Sequence, residues 1–151
     1  MKPRSRYYLV VAALGLTTLR ALGAQTISVS GNPGLLRIST AVAGSNPTSV
    51  SNATRTYTVV TGGGNKTYAV SLHLNANMPA GVTLTVTLAA PSGATSLGAV
   101  ALDVTARQLV TGIKKNTNST QSMTYTLAAT AAAGVVANSS RTVTLTIAQF
   151  P

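Results

Sequence analysis

The chain has no cysteine and no tryptophan, and its 151 residues include one acidic residue, Asp103, and one histidine, His73. Each scarcity removes a class of function. Without cysteine there is neither a disulfide nor a lipid-attachment cysteine, so a fold must be held by its core alone. One acid cannot supply the paired carboxylates of glycoside hydrolysis. One histidine plus one aspartate make neither a zinc nor a calcium ligand set. A Ser-His-Asp set is formally available from His73 and Asp103, but no Gly-x-Ser-x-Gly occurs and both residues fall singly on outward strand positions. Gly62-Gly63-Gly64 lacks the Lys-Ser/Thr and the following helix of a phosphate loop. The expectation is a protein that is not an enzyme and uses no cofactor or metal.

What the chain does have is alternation. Val82, Leu84, Val86 and Leu88 alternate with Thr83, Thr85 and Thr87, and near the C-terminus Val143, Leu145 and Ile147 alternate with Thr142, Thr144 and Thr146. A strict period of two marks a strand with one dry face. Two such strands imply a sandwich or barrel.

Residues 1–24 fit a signal peptide: Lys2, Arg4 and Arg6 are a basic start, residues 9–19 an apolar run, and Ala21-Leu22-Gly23-Ala24 a small-residue cleavage region. The run is closed by Arg20 and is too short for the roughly 20 residues that cross a bilayer. The mature chain, residues 25–151, is expected to be one domain, secreted or at the cell surface, with the periplasm as a further compartment, and with no membrane span.

Along that domain, residues 26–30 form a short strand with Ile27 and Val29 on one side, and Gly31-Asn32-Pro33-Gly34 breaks it. Residues 35–40 resume an extended run and residues 43–52 read as a loop. Residues 54–60 follow as a strand, and Gly62-Gly63-Gly64-Asn65 looks like a hairpin connection. The returning strand turns Tyr68, Val70, Leu72 and Leu74 inward and His73 outward. After residues 81–89, residues 98–107 make a strand with Asp103 on its wet side, the pattern slips at Leu109-Val110, and residues 111–120 read as a loop. Strands over residues 123–130 and 141–148 complete the set. A helix beginning at residues 128–133 would be ended within a turn by Gly134. The result is an all-β chain, a single antiparallel immunoglobulin-like β-sandwich of about 7–8 strands, with a jelly roll or closed barrel as the second architecture.

Once the signal leaves, Arg37, Arg55, Lys66, Arg107, Lys114, Lys115 and Arg141 face Asp103 alone. They are scattered rather than clustered, which argues against a specific nucleic-acid site and for solubility, with weak attraction to anionic surface polymers as the functional alternative. Tyr57, Tyr68 and Tyr125 fall in phase with apolar neighbours and belong to the core rather than to a sugar-binding platform. Asn52, Asn65, Asn118 and Asn138 head glycosylation acceptor triplets, as an Asn-, Ser- and Thr-rich chain provides by chance. The Thr combs 83/85/87 and 142/144/146 suit exposed strand faces; an ice-binding array would need neighbouring strands in register, and no short repeat supplies them.

Residues 105–113, 123–130 and 133–136, with the closing Arg141-Thr142-Val143-Thr144-Leu145-Thr146-Ile147, resemble exported bacterial domains of the spore-coat-protein-U-like and fimbrial-subunit kind. That resemblance implies an immunoglobulin-like sandwich ending in a Thr-Val-Thr-like strand, and a subunit of a fibre, pilus or coat; the disulfide of typical pilins is lacking. The function expected is therefore a structural or adhesive surface protein that self-assembles or meets other envelope proteins, with Ile27 and Val29 as a subunit-pairing strand. A monomeric secreted binding module is the alternative. N-terminal sequencing of exported material should start at Ala24 or Gln25; an extracellular protein that retains Met1 would refute the signal.

Overall fold

The computed structural model describes residues 25–40, 44–134 and 136–150; the expected signal peptide lies outside them. Among the described residues nine strands form two antiparallel sheets: β1 (Thr26–Val29), β2 (Val50–Val60), β3 (Thr67–Leu74), β4 (Val82–Leu88), β5 (Thr95–Ser96), β6 (Ala99–Ala101), β7 (Arg107–Ile113), β8 (Asn118–Ala129) and β9 (Val143–Phe150). One sheet has the order β1-β2-β8-β4-β6 and the other β5-β7-β3-β9. The chain is a β-sandwich. Its only other regular element among the described residues is a single 3-10 turn at Ala131–Ala133, where the alanine run meets Gly134.

The inner faces interlock through Tyr57 and Val59 of β2, Leu84, Val86 and Leu88 of β4, and Met123 and Tyr125 of β8. Against them lie Tyr68, Val70, Leu72 and Leu74 of β3 and Leu109, Val110 and Ile113 of β7. The inward residues read for β3 and β4 are the ones in the core, with Ala69 of β3 buried out of phase, and His73 on β3 points away from the core, opposite Thr144.

Three expectations are corrected. The glycine run at residues 62–64 is not a hairpin, because β2 and β3 belong to different sheets; it carries the chain across the sandwich. Thr61 secures that crossing, its hydroxyl donating to the Lys114 carbonyl at 2.8 Å while accepting from the Thr117 N–H at 2.9 Å. The predicted strand over residues 98–107 is β6 plus a bend, with Leu102 buried and Asp103 beside it. The supposed slip and the first three residues of the loop after it, 111–113, are in fact β7, where register shifts against β3 turn both Leu109 and Val110 inward and hide the alternation; the loop itself is residues 114–117. β2 and β8 likewise begin earlier than expected, at Val50 and Asn118.

The outer face of the five-stranded sheet is made of small uncharged side chains. Ser28 pairs with Thr58 and Thr58 with Thr120, Thr56 with Ser122, Thr124 with Thr87, and Thr126 with both Thr85 and Ser51. Hydroxyls meet across strands at 2.7 Å between Thr58 and Thr120 and 2.8 Å between Ser51 and Thr126. The 83/85/87 comb thus has in-register neighbours without any sequence repeat, whereas Thr144 and Thr146 lie on the other sheet. Twist of about 20–25° between adjacent strands keeps such a face from being a planar lattice.

Leu84→Ala should destabilise by roughly 2–5 kcal/mol and the outward Thr85→Ala by less than ~1 kcal/mol in denaturant unfolding. Leu145, expected to match Leu84, is half-buried, so Leu145→Ala should fall between them. Equal effects at Leu84 and Thr85 would contradict the register.

Candidate functional site

The two sheets do not close evenly. In strand order, β1, β2, β8 and β4 correspond to strands A, B, E and D of the constant-type immunoglobulin arrangement, and β3 and β9 to C and F. Among the described residues no strand pairs with the second edge of β9, where the seventh strand of that arrangement would lie. The consequence is a seam between β1, at the rim of one sheet, and β9, at the rim of the other.

The seam is apolar because both strands alternate. Ile27 and Val29 stand opposite the buried Val59 and Tyr57, so they share the inward face, as the sequence implied. Ile27 packs against the core, whereas Val29 remains 45% exposed. Across from them Val143, Leu145 and Ile147 of β9 are only half-buried although they point to the same core as their fully buried β3 neighbours. A small cleft of about 190 Å³ lies between Ile27, Ser28 and Val29 on one side and Val143 and Leu145 on the other. It adjoins a cavity of about 520 Å³ floored by Leu84, Tyr125 and Leu127, with Met78, residues 31–36 and residues 139–143 around it. A volume of that size accommodates either a drug-sized molecule or several side chains of an added strand.

β1 is lightly held. Four register pairs join it to β2, followed by the Ser30 N–H donating to the Thr56 carbonyl at 2.9 Å and the Thr56 N–H to the Ser30 hydroxyl at 3.0 Å. Gly31 then takes φ +128°, a value that L side chains rarely adopt. The structure places β1 on its own sheet edge. Sequence reasoning found Ile27 and Val29 but missed residues 31–36 and Leu127 as part of the seam, because nothing in their local pattern says which strand faces them.

Elsewhere the chemistry-bearing residues are engaged locally. The Asp103 carboxylate accepts from the Thr105 N–H at 2.7 Å and from the Arg107 guanidinium, which holds its pKa below the usual value. Its hydrogen bonds go to these partners and not to His73. Among the described residues there is no cluster of three or more His, Asp or Glu that could hold a metal ion, and no helix long and apolar enough to cross a membrane. The seven cations lie in loops, at strand ends, or, for Arg55, on the inward phase of β2; none is on the outward ladder positions of the five-stranded sheet.

Compared with known proteins, the chain matches no family model, no curated protein and no solved structure.

Near the seam, Tyr57 is fully buried and its hydroxyl donates to the Ala89 carbonyl. Burial pushes its pKa up to about 12 from 10.0, and burial also raises that of Tyr125. Because the folded state holds these protons more tightly, their contribution to stability is complete below the ordinary tyrosine value and is lost as pH rises through the folded values. Denaturant midpoints should therefore be flat up to about pH 9.5 and fall toward about pH 12. In Tyr57→Phe that fall should be shallower; an identical alkaline profile would place the effect elsewhere.

Proposed function

We propose that the chain is a non-enzymatic, exported structural or adhesive protein of a bacterial surface, whose copies join by strand addition at the seam between β1 and β9. One observation carries the reading: among the described residues β9 has a free edge, and it presents Val143, Leu145 and Ile147 half-buried beside a cavity of about 520 Å³ with an apolar floor of Leu84, Tyr125 and Leu127. An unpaired, alternating apolar edge is a template for another strand, which would gain main-chain hydrogen bonds along β9 and bury its own alternate side chains in the cavity. β1 is the segment of this chain suited to be that strand. It is short, carries Ile27 and Val29 on one face, and is joined to the body through Gly31. The resemblance to coat and fimbrial subunits points the same way, and the uncharged hydroxyl face suits a protein that works outside the cell.

Removing residues 25–31 should leave a folded, soluble monomer that a synthetic peptide of those residues rebinds, and Ile27→Asp should abolish high-mass assemblies in sedimentation. A truncated chain that still assembles would overturn donation by β1; one that unfolds would assign β1 to its own sheet alone. The second reading, a monomeric binding module, is favoured by the size of the cavity, and a protein that stays monomeric at high concentration and takes up no peptide would select it.

A further inference from the structure

One wall of the cavity is not a ladder strand. Residues 31–36 form it, at the start of an extended stretch, residues 31–40, that pairs with no strand. Among the described residues only two hydrogen bonds tie this stretch down. The Asn52 side chain donates to the Pro33 carbonyl at 2.8 Å, and the Thr48 N–H donates to the Thr40 carbonyl at 3.1 Å. Otherwise it is laid on the sandwich by one face. Leu36 packs against the core and Ile38 is half-buried, while Leu35 is 85% exposed and Arg37 and Ser39 point outward. Bends at Gly31 and Gly34, with φ +128° and +81°, give it hinges.

A second observation comes from beneath it. Arg55 lies under Gly31, where a Cβ would come within 4.0 Å of the guanidinium. Its Nε is buried without a hydrogen-bond partner. A donor left unpaired in the closed arrangement favours any movement that returns it to water. The stretch is therefore weakly bonded, hinged, and begins beside an arginine whose Nε has no hydrogen-bond partner.

We propose that residues 31–40 are a strap that holds the seam partly closed in the single copy and lifts about Gly31 and Gly34 to admit the strand of a second copy along β9. The proposal rests on the strand-addition reading and adds to it a gate. A free apolar edge invites indiscriminate pairing, and a stretch held by one leucine, one half-buried isoleucine and two hydrogen bonds, walling the same cavity as Val143 and Leu145, narrows the approach to that edge yet yields to a strand that bonds all along it. Leu36 is the latch, and the exposed Ser39, outside the cavity lining, is the built-in control.

The test uses Leu36→Ser, the milder Leu36→Ala, and Ser39→Ala in the full mature chain, each first checked for an unchanged far-ultraviolet spectrum. Hydrogen exchange, with no partner added, reads the β9 amides that do not bond β3. Exchange there should rise about tenfold in Leu36→Ser, the equivalent of losing one half-buried leucine. It should rise less in Leu36→Ala and stay level in Ser39→Ala. Association of a peptide of residues 25–31 should quicken in the same order. Equal exchange at β9 in all three variants overturns the strap, whatever the peptide does. Faster exchange in the Leu36 variants with no peptide bound by any protein upholds the cover and instead sinks the strand-addition reading.

Discussion

A five-stranded sheet with one apolar face has to be covered by a four-stranded one, and most of this structure follows from that mismatch. Where the sheets overlap fully, Leu72, Val86 and Leu88 are sealed from water, and burial on that scale, at ~25 cal/mol per Å² of apolar surface, replaces the cross-links the chain does not have. Where they do not overlap, the same residue types stay half-buried. Leu145 and Leu72 face each other in register on adjacent strands, yet only Leu72 has neighbours on every side. Position in the sandwich, not side-chain chemistry, makes one a core residue and the other the wall of a seam.

Much of the fold was legible because a strand buried on one face writes its geometry into every second residue. β3, β4 and the inward set of β9 could be read in this way, as could the tyrosines of the core. Two things could not. Sheet membership has no local code: a glycine run at residues 62–64 suits a hairpin or a crossing equally, and only the partners of β2 and β3 decide between them. Alternation also fails at a bulge, so β7, with Leu109 and Val110 both inward, looked like a slip although it supplies three buried side chains. The candidate site was half legible for the same reason. Ile27 and Val29 show their phase, whereas Leu36 and Arg55 owe their roles to what lies across the seam, which no spacing along the chain encodes.

Charge is distributed with comparable economy. The outward ladder positions of the larger sheet carry mostly hydroxyls and methyls, and the cations among the described residues sit at strand ends and in loops, apart from Arg55 on the inward phase of β2. The sole acid is spent on a neighbour four residues away, at Arg107, an exposed pair of the kind that contributes little to stability. The core is therefore built without ion pairs among the described residues, and the seam is where apolar side chains of both sheets are left half-covered.

After β2, every connection changes sheets: β3, β5, β7 and β9 lie in one and β4, β6 and β8 in the other. No two consecutive strands from β2 onward can therefore form a local hairpin as a folding seed. Apart from β1–β2, each ladder joins segments separated by at least one strand of the opposite sheet, so loop-closure entropy must be met before the contacts that offset it exist. Folding of such a chain belongs to the slow, milliseconds-to-seconds class of β-sandwiches, with strand edges exposed throughout. β9, which must find β3 across five intervening strands, is the last ladder the emerging chain can complete, so the newly made protein passes through a state whose open edge is β3 before it reaches one whose open edge is β9.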